Sequence, residues 1–121
     1  MMNAVKEDVE KLVQKELESA NQRFPMFRSD HEGAAVIFEE IEEAEQELKI
    51  AKSNFENLWN AVKRNESSNF LAIYLLRLNG NAVRLACEAI QVAAMAQKFI
   101  DSQKEREKSE GNKSERYASN Y

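Results

Sequence analysis

The residues best equipped for chemistry in this chain are carboxylates. Glu39, Glu40, Glu42 and Glu43 flank Ile41, and Glu45 and Glu47 follow. On a helix turning about 100° per residue, Glu40, Glu43 and Glu47 share one flank and Glu39 lies close to Glu43. Like charges at such spacings repel by roughly a few tenths of a kcal/mol per pair. A divalent cation would remove that repulsion and take its oxygen ligands from the same side chains. The alternative is a solvated acidic face, eased by Lys49 and Lys52. A further carboxylate, Glu88, stands in the run AVRLACEAIQVAAMA (residues 82–96), whose only polar members are Arg84, Glu88 and Gln91. Their i, i+4, i+7 spacing puts all three on one helical face. On so apolar a helix Glu88 is expected to be partly buried, at a cost of several kcal/mol unless it is paired or metal-bound. One reading is a local Arg84–Glu88 ion pair or an exposed stripe. The other has Glu88 facing Glu40 and Glu43 across a bundle, a hard oxygen site from two helices suited to Mg2+ or Mn2+.

The elements that must position these residues are helices. The chain has 121 residues, 43% of them hydrophobic and 31% charged, which suits one domain with a modest core. Three Gly and one Pro are too few for the turns of an all-β fold, so the class is all-α. The formal charge of −4 argues against a protein that grips nucleic acid through its phosphates. A single cysteine, Cys87, makes no internal disulfide, and no Cys/His set exists for zinc. The opening MMNAVKEDVEKL lacks the apolar core of a secretory signal, and no apolar run reaches the length of a membrane span. A cytoplasmic setting without membrane partners is the expectation.

A first helix is expected from about Asn3 to Phe24, with a stripe of Val5, Val9, Leu12, Leu17, Ala20 and Phe24, closed by Pro25. Ser29 and Glu32 form a capping box, so a second helix should start near Asp30. Its apolar positions Ala34, Ile37, Ile41, Ala44, Leu48, Ala51, Phe55, Leu58 and Val62 alternate steps of three and four, a heptad seam. That helix is expected to end near Arg64 or to break at Ser53–Asn54. A short, apolar insert helix over about 66–79 should be buried, with Leu48, Phe55 and Leu58 or this helix lying between subunits. Asn79-Gly80-Asn81 reads as a C-cap followed by a new N-cap, and a last helix should run from Ala82 to about Gln103. The expectation is therefore an antiparallel bundle of four main helices within residues 1–108, followed by a flexible charged tail over 109–121.

Two blocks carry a resemblance. HEGAAVIFEEIEE (residues 31–43) and EAIQVAAMAQKFI (residues 88–100) resemble the two motif blocks of the MazG-like all-α nucleoside triphosphate pyrophosphohydrolases, and among them small phage and bacterial members with an HEGxAVIxEE block. Glu39, Glu40 and Glu43 match the family's EExxE half-motif, and Glu88 begins its ExxD half-motif. The aspartate position is Gln91, whose carbonyl oxygen can ligate a cation but brings no charge. The half-motifs are further apart than is usual, and the excess holds the insert helix. The resemblance implies a helical homodimer or homotetramer that cleaves a nucleoside triphosphate to monophosphate and pyrophosphate with Mg2+, or with Mn2+. Glu40, Glu43, Glu88 and Gln91 would then hold the metal and Glu39 would orient or deprotonate water. Arg84 and Lys98 are candidates for the outer phosphates, and His31 reads as an exposed or packing residue. The rival readings are a degenerate member without turnover, kept open by Gln91, and a helical interaction protein, since seam, alanine-rich helix and tail all suit assembly.

Overall fold

The computed structural model describes residues 4–119, and side chains as far as residue 111. Among them the fold consists of three helices and no strand: α1 (Lys6–Arg23), α2 (Asp30–Lys63) and α3 (Ser68–Ser119). Pro25 forces the preceding residue out of the helical region, and Phe24 is extended at φ −135, ψ 146. Ser29 caps α2 as its sequence suggests, its Oγ accepting the Glu32 N–H at 3.1 Å. α2 then runs unbroken through Ser53–Asn54. It closes in a Schellman turn: Asn65 takes φ 56, and the Asn65 and Glu66 amides donate to the Val62 and Ala61 carbonyls at 3.0 and 3.1 Å.

The expected four helices are corrected to three. Asn79–Asn81 does not interrupt the chain, so the insert helix and the last helix are a single element, α3. A mid-helix Gly costs about 1 kcal/mol and an Asn somewhat less. The helix continues through them nonetheless, packed on α2 at this point: Asn81 is only 1% exposed and hydrogen-bonds to Asn54. The backbone of the charged stretch after Asp101 stays helical to Ser119. The side chains of residues 112–121, most of the expected tail, lie outside the described residues, as does the structure of residues 1–3.

The chain forms two compact units, residues 1–38 with 90–121, and residues 39–89. In the first, Leu17, Ala20, Phe27 and Ala94 are buried. The Phe27 ring meets Phe99 edge-on, 6.5 Å between centroids. Ser102 Oγ accepts the Phe27 N–H at 2.9 Å and donates to the Lys98 carbonyl at 2.7 Å, so the backbone of the α1–α2 loop is tied to α3. Gly33 lies against the Phe99 ring so closely that a Cβ there would come within 2.4 Å of it. The HEG and QKF segments of the two sequence blocks thus meet at a contact only glycine fits. Arg106 closes the unit with a 2.6 Å ion pair to Asp30 in the first turn of α2. The stripe expected on α1 is corrected. Its interior face is Val13, Leu17 and Ala20, while Val5, Val9, Leu12 and Phe24 are exposed.

In the second unit α2 and α3 run antiparallel, as the pairs Asn54–Asn81 and Glu47–Arg84 show. The less exposed positions of α2 are Glu40, Ala44, Glu47, Ala51, Asn54, Leu58 and Ala61; those of α3, Gly80 aside, are Leu71, Tyr74, Leu78, Asn81, Leu85 and Glu88. Each set steps alternately by three and four, the period of a two-helix contact. The face is turned from the seam expected on α2. Ala44, Ala51 and Leu58 belong to both, but Ile41, Leu48, Phe55 and Val62 are 40–51% exposed. The insert segment is likewise not buried within the chain, with Phe70, Ile73, Leu75 and Leu76 exposed. Period identified the helical class, but α2 carries two adjacent stripes of that period, and period cannot say which one α3 covers.

Candidate metal centre

The antiparallel pairing in the second unit brings carboxylates of α2 and α3 together. Glu40, Glu43 and Glu88 each offer one oxygen to a set whose members all lie within 4.8 Å of one another. Glu40 and Glu88 are half-buried on facing sides of the two helices, and Glu43 is exposed at the rim. The i, i+3 spacing of Glu40 and Glu43 supplies two carboxylates from one turn of α2, and Glu88 closes the set from α3.

Electrostatically the cluster is under tension. Burial pushes the Glu88 carboxyl above its ordinary value of 4.5. A hydrogen bond with Glu43 and the charges of Glu43, Glu40 and Glu47 push it further in the same direction. Protonation of Glu88 is one way to relieve this crowding, and a cation is another. Hard carboxylate oxygens at this density match the ligand preference of Mg2+ and Mn2+, so the residues present fit such an ion.

The other sequence candidates fall differently. Glu39 is exposed on α2, beside Glu40 in sequence but outside the three-carboxylate set. Arg84 projects from α3 to Glu47 at 3.4 Å and is 59% exposed. Glu47, to which the sequence reading gave no role, therefore links Arg84 of α3 to α2. Gln91 is half-buried and belongs to the other compact unit. Lys98 also belongs there and is only 2% exposed, its Nζ lying 5.2 Å from the centre of the Phe27 ring. Burial lowers its pKa, against the raising influence of Glu32. His31 and Cys87 are exposed.

Asn54 and Asn81 were missed as a pair: α2 was expected to end near Arg64 or to break at Ser53–Asn54, and Asn81 was read as a cap. A usable signal was present: Glu40, Glu47 and Asn54 are spaced by seven residues, as are Tyr74, Asn81 and Glu88, which puts each trio on one heptad position. No helix among the described residues is long and apolar enough to cross a membrane. Comparison with protein-family profiles, with curated proteins and with solved structures finds no match for this chain.

Proposed function

We propose that Glu40, Glu43 and Glu88 hold a divalent cation, Mg2+ or Mn2+, and that the protein is a MazG-like pyrophosphohydrolase. It would convert a nucleoside triphosphate to the monophosphate and pyrophosphate. The observation that carries the reading is the convergence of three carboxylates from α2 and α3, the residues that match the two half-motifs. When bound, the cation supplies positive charge that lets an acidic site accept a polyphosphate and stabilises charge developing on its oxygens. Glu39, exposed next to the cluster in sequence, orients or deprotonates the water that attacks the α-phosphorus. Arg84, held by Glu47 at the surface, is the residue of the second unit assigned to the outer phosphates. Lys98 takes no phosphate role in this reading, because its ammonium is buried against Phe27. Nor does the reading depend on Gln91.

Assembly belongs to the same proposal. Ile41, Leu48, Phe55, Trp59 and Val62 on α2 and Phe70, Ile73 and Leu76 on α3 are all at least 40% exposed, and on α2 Ile41, Leu48, Phe55 and Val62 repeat every seven residues, the spacing of a helix-contact stripe. A second copy of the chain covers it, as a homodimer or a homotetramer, in a cytoplasmic setting. The second reading, a helical assembly protein without turnover, draws on these same residues.

Pyrophosphate release measured with Mg2+ across ribo- and deoxynucleoside triphosphates separates the two. Release that is lost in Glu40→Gln, with helicity unchanged by circular dichroism, is the expected result. No release from folded wild-type protein with any nucleotide would leave the assembly reading in its place.

A further inference from the structure

A metal centre shared by two long helices needs something to fix how those helices face each other. The α2–α3 turn does this at one end, through Asn65 and its two reversed hydrogen bonds. Glu43 and Glu88 lie 22 and 23 residues from Asn65 along their helices, about 33 Å at 1.5 Å per residue. Between turn and cluster, the α2 face is mostly small: Ala51 and Ala61, with Leu58 the one larger apolar residue. Methyl groups against Leu71, Tyr74, Leu78 and Leu85 exclude water but do little to oppose rotation. A rotation of either helix by roughly 30° moves a side-chain tip at roughly 5–6 Å radius by about 3 Å. That is enough to carry a carboxylate out of a cation's ligand shell, where Mg2+ tolerates only near-ideal geometry.

Two directional side-chain contacts are seen in this span: the Arg84–Glu47 ion pair, whose arginine is 59% exposed, and an amide pair deeper in the contact. Asn54 Nδ2 donates to Asn81 Oδ1, and Asn81 is 1% exposed, one of the most completely buried side chains in the protein. Asn54 occupies the heptad position of Glu40 and Glu47, and Asn81 that of Glu88. A buried amide pair in a helix contact is a poor source of stability, since apolar residues of similar size pack there at no loss. Its particular capability is to penalise every alternative facing of the helices, because any other leaves a buried amide without a partner.

We propose that the Asn54–Asn81 pair is the positioning element of the carboxylate centre: it sets the rotation and stagger of α2 against α3 that bring Glu88 to Glu40 and Glu43. The part that concerns the metal rests on the function proposed above; the part that concerns helix facing does not. The double variant Asn54→Leu/Asn81→Leu therefore melts at or above the wild-type temperature, yet its helices adopt more than one facing.

Two readouts test this in the full chain. Nitroxides on the native Cys87 and on Lys49→Cys report the α2–α3 distance by pulsed electron resonance without metal. A narrow distribution in the wild type and a broadened or shifted one in the double leucine variant is the expected result. Asn54→Asp, whose carboxylate accepts from a flipped Asn81 amide, should keep the narrow distribution. In unlabelled protein, Mn2+ affinity should fall at least tenfold in the double variant and much less in Asn54→Asp. Unchanged distances in the double variant overturn the proposal, and so does its failure to fold, which would make the pair a source of stability instead. If the wild type binds no Mn2+ but the distances broaden as stated, the facing role holds and only the metal reading falls.

Discussion

The packing of Gly33 against Phe99 gives a prediction whose sign opposes the usual rule. Gly33 lies in the first turn of α2, where replacing Gly by Ala ordinarily stabilises a helix by about 1 kcal/mol. Here a Cβ would stand 2.4, 2.7 and 3.0 Å from Cδ2, Cε2 and Cγ of Phe99. Carbon atoms pack at about 3.5–4.0 Å, so the ring would have to retreat by more than about 1 Å. It cannot do so cheaply, because the affected atoms extend to the root of a rigid ring that also packs edge-on against Phe27. Overpacking of this kind costs roughly 1–3 kcal/mol, and a contact this short belongs at the upper end. After the helical gain, Gly33→Ala should be destabilised by about 1–2 kcal/mol, or roughly 4–12 °C in melting temperature for a domain of this size. Thermal unfolding followed by circular dichroism measures it. Phe99→Leu in the Gly33→Ala background should recover part of the loss, giving a non-additive cycle. A Gly33→Ala protein as stable as the wild type, or more stable, would refute the packing argument.

Two further outcomes are expected. Light scattering at micromolar concentration should give a mass of two or four chains, and Leu48→Glu/Phe55→Glu, both at exposed positions, should reduce it to one without loss of helicity; a monomeric wild type would contradict the assembly. The second concerns pH. The Glu88 carboxyl is raised above 4.5 in the fold, so the folded state binds a proton that the unfolded chain has already released. Metal-free protein should therefore gain stability as pH falls from 7 toward 4.5, and Glu88→Gln should flatten that part of the melting-temperature profile; an equal slope in the two proteins would sink the assignment.

Much of this was legible in the residues. Ser29 and Glu32 announced the start of α2, Pro25 the end of α1, and the alternating three-four steps the helical class. The carboxylate set could be foreseen because Glu88 was the odd residue on an apolar helix and an i, i+3 pair waited on another. What the residues hid was tertiary. Asn79-Gly80-Asn81 carries a strong local stop signal, yet α3 runs through it, with Asn81 buried and bonded to Asn54, 27 residues away. The inner face of α2 was misjudged because apolar residues repeat on two neighbouring stripes, one of which a single chain leaves exposed. Lys98 looked like a phosphate ligand by charge alone; only the fold shows its stem and ammonium enclosed beside Phe27.

The central claim is that Glu40, Glu43 and Glu88 form one cation site, and the melting temperature of the wild type and Glu88→Gln, with and without MnCl2 at pH 7, tests it most directly. Without metal the variant should melt above the wild type, since it removes a charge from a crowded cluster. At Mn2+ one hundred times its dissociation constant the wild type should gain about 2.7 kcal/mol and the order should reverse. A wild type that Mn2+ does not stabilise, or a variant stabilised just as much, would contradict the site.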